Sequence, residues 1–408
     1  MKIFFVLTAI IIPSLLHAQG VWTNDSLPEF GMSYAQSEVI NGKIYVINWG
    51  IVRIDKNGLS TLDSATLSIF DPVMHTWSYP AEAVPFRGSF ASCSDSGKMY
   101  IIGAESDSLA NKIEVFDPAS NTWSNISYTG TFTRRTGLTV SAVGGKIYAI
   151  GGFSNGKDLN IIEVFDPSTH SWNSPEIGGT FTPRDGHTAT VLNGKIYVMG
   201  GENGPLIGNL QVFDPQTNSW STPVTTGIFT PRAGLTSSVL GGKIYAIGGY
   251  NFAPKINVVE VFDTSTNTWS TPKTTGTFTA RLNLSSSVVN DKIYVIGGIG
   301  FINDQNSTFF IPGNFNEVFS PSASDVASQQ VSQLSLSPNP TTGVLSVQGL
   351  ASDNITVSVF NILGETVMVQ KNLPVPDFTL DLSKLVPGTY YIRFSSPNSV
   401  VTKKVIRQ

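Results

Sequence analysis

Six copies of one phrase constrain what this chain can fold into. Residues 194–201 read Gly-Lys-Ile-Tyr-Val-Met-Gly-Gly, and versions of the same phrase begin at Gly42, Gly97, Gly145, Gly242 and Asp291. The phrase alternates like a half-buried strand and ends on glycines that stop it. Its tyrosines (Tyr45, Tyr100, Tyr148, Tyr197, Tyr245 and Tyr294) are 55, 48, 49, 48 and 49 residues apart. A period near 50 that carries several short strands predicts an array of propeller blades.

Other landmarks keep phase with the tyrosine. Arg87, Arg135, Arg184, Arg232 and Arg281 each precede it by 13 residues, and Met32 takes that place in the first unit. A third strand ends at Phe70, Phe116, Phe165, Phe213, Phe262 or Phe319. Seven residues after the first five of these stands a tryptophan: Trp77, Trp123, Trp172, Trp220 or Trp269. Each unit therefore supplies four strands joined by short polar turns, and such a sheet buries both faces only against copies of itself. The sixth unit has no tryptophan after Phe319, while Trp22 stands alone ahead of the first. Trp22 precedes Tyr45 by 23 residues, as Trp77 precedes Tyr100. Val21-Trp22-Thr23 is thus expected to be the outer strand of the sixth unit, which would close a ring of six and remove an open edge.

These landmarks resemble the kelch repeat over residues 19–322. The resemblance implies an all-β, six-bladed kelch β-propeller closed by an N-terminal outer strand. It implies no activity, because the family includes enzymes, sugar-processing proteins and protein binders.

Residues 1–18 read as a signal peptide: Lys2, an apolar run from Ile3 to Leu16, and Leu16-His17-Ala18 before a cleavage point at Ala18-Gln19. The run is too short, and interrupted by Pro13, to span a membrane, so no transmembrane segment is expected in the mature chain. Cys93 is the single cysteine of the 408 residues, so an exported form has no internal disulfide. Charged residues make up 13% of the chain and the net charge is −4, without a basic stripe, which argues against nucleic acid as a partner.

Residues 323–333 are Ser/Gln-rich and read as a linker. From residue 334 to residue 408 the pattern changes to short alternating runs, which predicts a small immunoglobulin-like β-sandwich. Three phrases stand out there: Ser337-Pro338-Asn339-Pro340, Val359-Phe360-Asn361, and Leu385-Val386-Pro387-Gly388-Thr389-Tyr390. This segment resembles the type A C-terminal sorting domain of the type IX secretion system. The resemblance implies export across the outer membrane of a Bacteroidota-type cell, by machinery that reads residues 334–408, and residence at the cell surface or in the medium.

No catalytic constellation appears, and neither metal nor cofactor is expected. The mature histidines, His75, His170 and His187, fall in different units, and no Ser-His-Asp set or phosphate loop is present. The arginines admit two readings: a positive ring at the channel mouth that grips carboxylates, or a bond internal to the repeat. A residue recurring in nearly every unit is more economically structural, so a ligand site is sought where units differ. The spacing from tyrosine to third-strand phenylalanine is 16 or 17 in units two to five but 25 in units one and six. Two longer loops are therefore expected, side by side on one face. They carry Trp49, Arg53 and Asp55 in the first, and Phe301, Asn303, Asp304 and Phe309 in the second. This mixture suits a glycan or protein ligand. The leading expectation is a secreted or surface-displayed binding protein. The alternatives are a sugar-processing enzyme of the mutarotase type, which would use Glu202 or Glu105 with Arg184, and a structural adhesin.

Overall fold

The computed structural model describes residues 20–29, 31–55, 58–80, 84, 90–103, 112–251, 256–304, 307–321, 335–348, 355–361, 366–373, 378–396 and 399–408. The signal peptide, the linker, Arg87 and Glu105 lie outside the described residues. Every described element is a β-strand, and the chain divides into two compact units, Met1–Ser322 and Ala323–Gln408.

In the first unit each repeat forms an antiparallel sheet whose strands follow chain order from inner to outer. The fourth repeat shows the pattern, with Thr188–Leu192, Lys195–Met199, Leu210–Asp214 and Ser219–Ser221 in sequence. The inner-to-second turn runs through Asn193 and Gly194, both in the left-handed region, which Gly and Asn tolerate best. Trp22 pairs with Phe319, so Gly20–Asn24 is the outer strand of the sixth repeat's sheet.

Neighbouring sheets interlock through aromatic rings. Within each sheet the third-strand phenylalanine packs on the outer tryptophan; Phe262 and Trp269, for example, have centroids 5.0 Å apart. Between sheets, the tyrosine of one repeat meets the phenylalanine of the next, as Tyr148 does Phe213 at 5.8 Å. Tyr294 of the last repeat meets Phe70 of the first at 5.7 Å. The inner strands follow the same cyclic order, and Ser37 and Ser287 share a 2.8 Å hydrogen bond between first and last.

The outer edges of the third to sixth repeats are covered as well. The loop leaving one repeat runs parallel to the outer strand of the next, pairing Thr129 with Ser171, Gly178 with Ser219 and Thr226 with Thr268. Gly227 makes this approach possible: its φ is +77°, and a Cβ there would lie 2.0 Å from the Trp269 carbonyl oxygen. Covered edges leave no template for pairing with another chain.

The second unit holds two sheets. Ser335–Ser337, Val344–Gln348 and Phe378–Asp381 form one, and Thr366–Leu373, Ile355–Phe360, Gly388–Ser396 and Ser399–Arg407 form the other. Leu345, Val347 and Leu380 from the first share a core with Val357, Val359, Ile392 and Phe394 from the second. The motif residues hold this unit's ends. Asn339 donates to the Lys404 carbonyl and accepts from the Ile406 amide, each at 3.0 Å, which fastens the last strand. The Tyr390 hydroxyl donates to the Val386 carbonyl at 2.7 Å and locks the turn before its own strand.

Candidate binding face

In this topology the second-to-third connections and the outer-to-inner connections emerge on the same face. The inner-to-second turns lie on the opposite face. The two long connections on the first face are not loops. In the first repeat the second and third strands continue as a hairpin, Lys43–Asp55 against Gly58–Asp71, with a register irregularity between Trp49 and Ile51. In the sixth, Ile299–Asp304 pairs with Ser307–Pro312. The expectation of loops is corrected to ladders: alternating β-rich runs such as Ile51-Val52-Arg53-Ile54 pair across a short tip instead of remaining open.

The register places the expected site residues along these ladders. Trp49 pairs with Ala65 at the base of the first hairpin, Arg53 with Ser60, and Asp55 with Gly58 at the tip. Phe301 pairs with Phe310, Phe309 with Ile302, Asn303 with Thr308, and Asp304 with Ser307. The short strand Gly31–Met32 stitches the hairpins together. It pairs with Val52 and Ile51 of the first. On its other side, Met32 donates its amide to Gly313 and accepts from the amide of Gly298 through its carbonyl. From Gly58 to Ala65 the third strand of the first repeat is paired on one side only among the described residues.

The arginines face inward. Arg135, Arg184, Arg232 and Arg281 are at most 2% exposed. Arg135 pairs with Glu163, and Arg232 and Arg281 pair with Glu260 and Glu317 at 2.5 Å. Each also donates to backbone carbonyls of its own repeat; Arg232 reaches Gly248, Thr230 and Ala246. Each lies over a phenylalanine three residues earlier, Arg232 over Phe229 at 4.7 Å. Of the two readings of the arginines, these four side chains fit the bond internal to the repeat and not a positive ring at the channel mouth. Where the arginine is missing, so is its carboxylate: Met32 is accompanied by Ser68 at the position that Glu163, Glu260 and Glu317 take elsewhere. A carboxylate buried there without its cation would be costly, so the first repeat carries neither.

Glu202 and Arg184 are engaged separately within the fold. Arg184 donates to Gly200, Asn209 and Gln211 in the interior. Glu202 accepts from the Tyr250 hydroxyl at 2.6 Å. Asp185, whose backbone bridges to Glu202, has its carboxyl pushed up to about 7, first by burial and then by Asp158 and Glu202 nearby.

At the centre of the face a collar of backbone bonds joins successive repeats. The amides of Gly186, Gly234 and Asn283 donate to the carbonyls of Gly137, Gly186 and Gly234, and the Ala35 amide continues to Asn283. Beneath lies a cavity of about 300 Å³ walled by the first residues of all six inner strands. It contains Glu38 and His187, which sequence reasoning did not single out as site residues. Burial raises the Glu38 carboxyl to about 7, against the lowering effect of its 2.8 Å bond from Ser92. Burial, with Arg184 and Arg135 near, holds the His187 imidazole down to about 3.

Among the described residues no group of three or more His, Cys, Asp or Glu could hold a metal ion. No described helix is long and apolar enough to cross a membrane.

Sheets of this kind, interlocked by a recurring Arg, Gly-Gly, Phe and Trp, define an all-β repeat protein. The chain belongs to the kelch-repeat family: residues 137–347, just over half of it, match the KLHDC2/KLHL20/DRC7 Kelch-repeats domain. Residues 335–408 match the secretion system C-terminal sorting domain, which supports secretion or a cell-surface location. An F-box/kelch-repeat protein of Arabidopsis thaliana is 35% identical over 120 residues, which are 29% of this chain and 30% of that protein. The chain thus spans under a third of that relative's length.

Proposed function

We propose that residues 19–322 form a six-bladed propeller that binds a protein partner through the face bearing the paired hairpins. Residues 334–408, an immunoglobulin-like sandwich, take it out of the cell through the type IX machinery once the signal peptide at residues 1–18 is removed. The cyclic order of the inner strands and the pairing of Trp22 with Phe319 support a closed ring.

One observation carries the binding reading. The hairpins of repeats one and six depart from the repeat's own plan and are joined through Met32 into one projecting element. Its edge from Gly58 to Ala65 presents main-chain groups, which suits a partner that adds a strand better than a sugar alone. A mutarotase-type enzyme is disfavoured because Arg184 and Glu202 are both engaged within the fold. The test shortens both hairpins to the length used by repeats two to five and measures binding of the full chain to the producing cell surface. Loss of binding with unchanged thermal unfolding supports the reading; retained binding with both hairpins short overturns it.

A further inference from the structure

A repeat protein supplies its own baseline: what five units do at one phase shows what the scaffold requires there. Two positions in the cavity wall break that baseline. Seven residues before the tyrosine, the inner strands carry Cys93, Ser141, Thr190, Ser238 and Ser287, all small, but the first repeat carries Glu38. At the residue leading into the inner strand the repeats carry Ala35, Phe90, Leu138, Leu235 and Leu284, all buried and apolar, but the fourth carries His187.

Packing requires neither departure, although the His187 ring meets Phe181 edge-on at 6.3 Å. Leu at the histidine phase fills the same place without a polar atom, as Leu138, Leu235 and Leu284 do. His187 is 5% exposed, and its Nε2 meets Thr139 Oγ1 at 3.0 Å. A polar ring buried where other repeats bury an alkyl side chain is retained against a stability cost. In the cyclic order of inner strands, the first and fourth repeats stand opposite each other, so the two departures line one cavity on opposite walls, with the His187 ring set toward Thr139 of the third repeat.

The rest of the wall fixes the ligand's chemistry. It is rich in hydroxyls, including Ser92, Ser94, Ser141, Thr190 and Ser237, and contains neither Lys nor Arg. Hydroxyls donate and accept, so they match a ligand whose rim alternates the two roles. The absent cations and the Glu38 carboxyl disfavour an anion. A volume of about 300 Å³ holds roughly ten waters at ~30 Å³ each, room for a six-membered ring with a few waters around it.

We propose that this cavity binds a neutral polyhydroxylated molecule of monosaccharide size, with Glu38 and His187 as its opposed polar anchors. The site is separate from the hairpin element and does not depend on it. The probes are glucose, galactose and myo-inositol, each titrated into the full chain and followed by saturation-transfer NMR. The comparison protein is the double variant Glu38→Ser/His187→Leu, which restores residues that other repeats already use and therefore keeps the fold. Glu38→Gln, which keeps the side chain's size, is a second comparison. The expected result is binding of at least one probe by the wild type, weakened about tenfold or more in the double variant and measurably in Glu38→Gln, while the double variant melts at or above the wild-type temperature. No saturation transfer from the wild type to any probe, or equal affinity in the double variant, overturns the assignment and leaves a water-filled channel.

Discussion

Arg184 Nη2 lies 2.7 Å from Gln211 Oε1, at the place where the third, fifth and sixth repeats join arginine to glutamate. The fourth repeat therefore buries a guanidinium against neutral amide oxygens, and burial lowers that group to about 10. Replacing the amide with a carboxylate completes the ion pair inside an existing hydrogen-bond network. Gln211→Glu is expected to stabilise the protein by about 1 kcal/mol, since charge-assisted bonds are roughly twice as strong as neutral ones. The reverse change acts in the opposite sense: Glu260→Gln gives Arg232 the neutral partner that Arg184 has and should lose ~1–3 kcal/mol. Chemical denaturation of both variants checks the two signs.

Stability should depend on pH through His187. Its folded-state value of about 3 lies below the ordinary 6.5, so the unfolded chain takes up the proton first as pH falls. Stability is then lost as pH drops from about 6.5 toward 3, with a slope of up to ~1.4 kcal/mol per unit. Glu38 and Asp185 act oppositely. Their carboxyls sit near 7, so the folded state holds those protons longer and stability falls as pH rises toward 7. Denaturation of wild type and His187→Leu between pH 4 and 7 isolates the first effect. The difference between the two should narrow as pH rises.

Removing the N-terminal strand should open the sixth sheet. Trp22 is 5% exposed and packs on Phe278 and Phe319 at 5.0 and 5.2 Å. Trp22→Ala is expected to lose ~3–5 kcal/mol, as large-to-small changes at buried aromatics do. Deletion of residues 20–24 should also expose the edge of Asn316–Pro321 and drive self-association, which size-exclusion chromatography with light scattering detects.

The sorting unit makes a separate prediction. Asn339 ties the last strand through two bonds, to Lys404 and Ile406. Asn339→Ala should loosen that strand and reduce the exported fraction, while the first unit keeps its melting temperature. Fractionation of cells and medium measures it.

The scaffold was legible because repetition makes each landmark its own control. The phase of Trp22 alone located the strand that pairs with Phe319. The arginine's partner also recurs, in the Glu-Val-Phe run ending at Phe116, Phe165, Phe262 and Phe319, and so does the Phe preceding four of the arginines. Recurrence favours a structural arginine without naming its carboxylate, because the two are 28 or 36 residues apart in sequence. Extra length in repeats one and six marks a departure without fixing its form. Spacing counts residues; the ladder appears only once Phe301 is set opposite Phe310. Glu38 and His187 carry no site signal in the sequence, because each is a single polar residue, and only the cyclic order of the inner strands sets the first and fourth repeats opposite each other.

The claim that the hairpin face is the binding face is tested most directly by photo-crosslinking in the producing cells. A photoreactive phenylalanine analogue would replace Arg53 or Asn303 on the hairpins, or Asn193 or Asn218 in turns on the opposite face. The account predicts a discrete protein adduct from positions 53 and 303 and none from positions 193 and 218. Adducts confined to the opposite face, or equal from both faces, would contradict it.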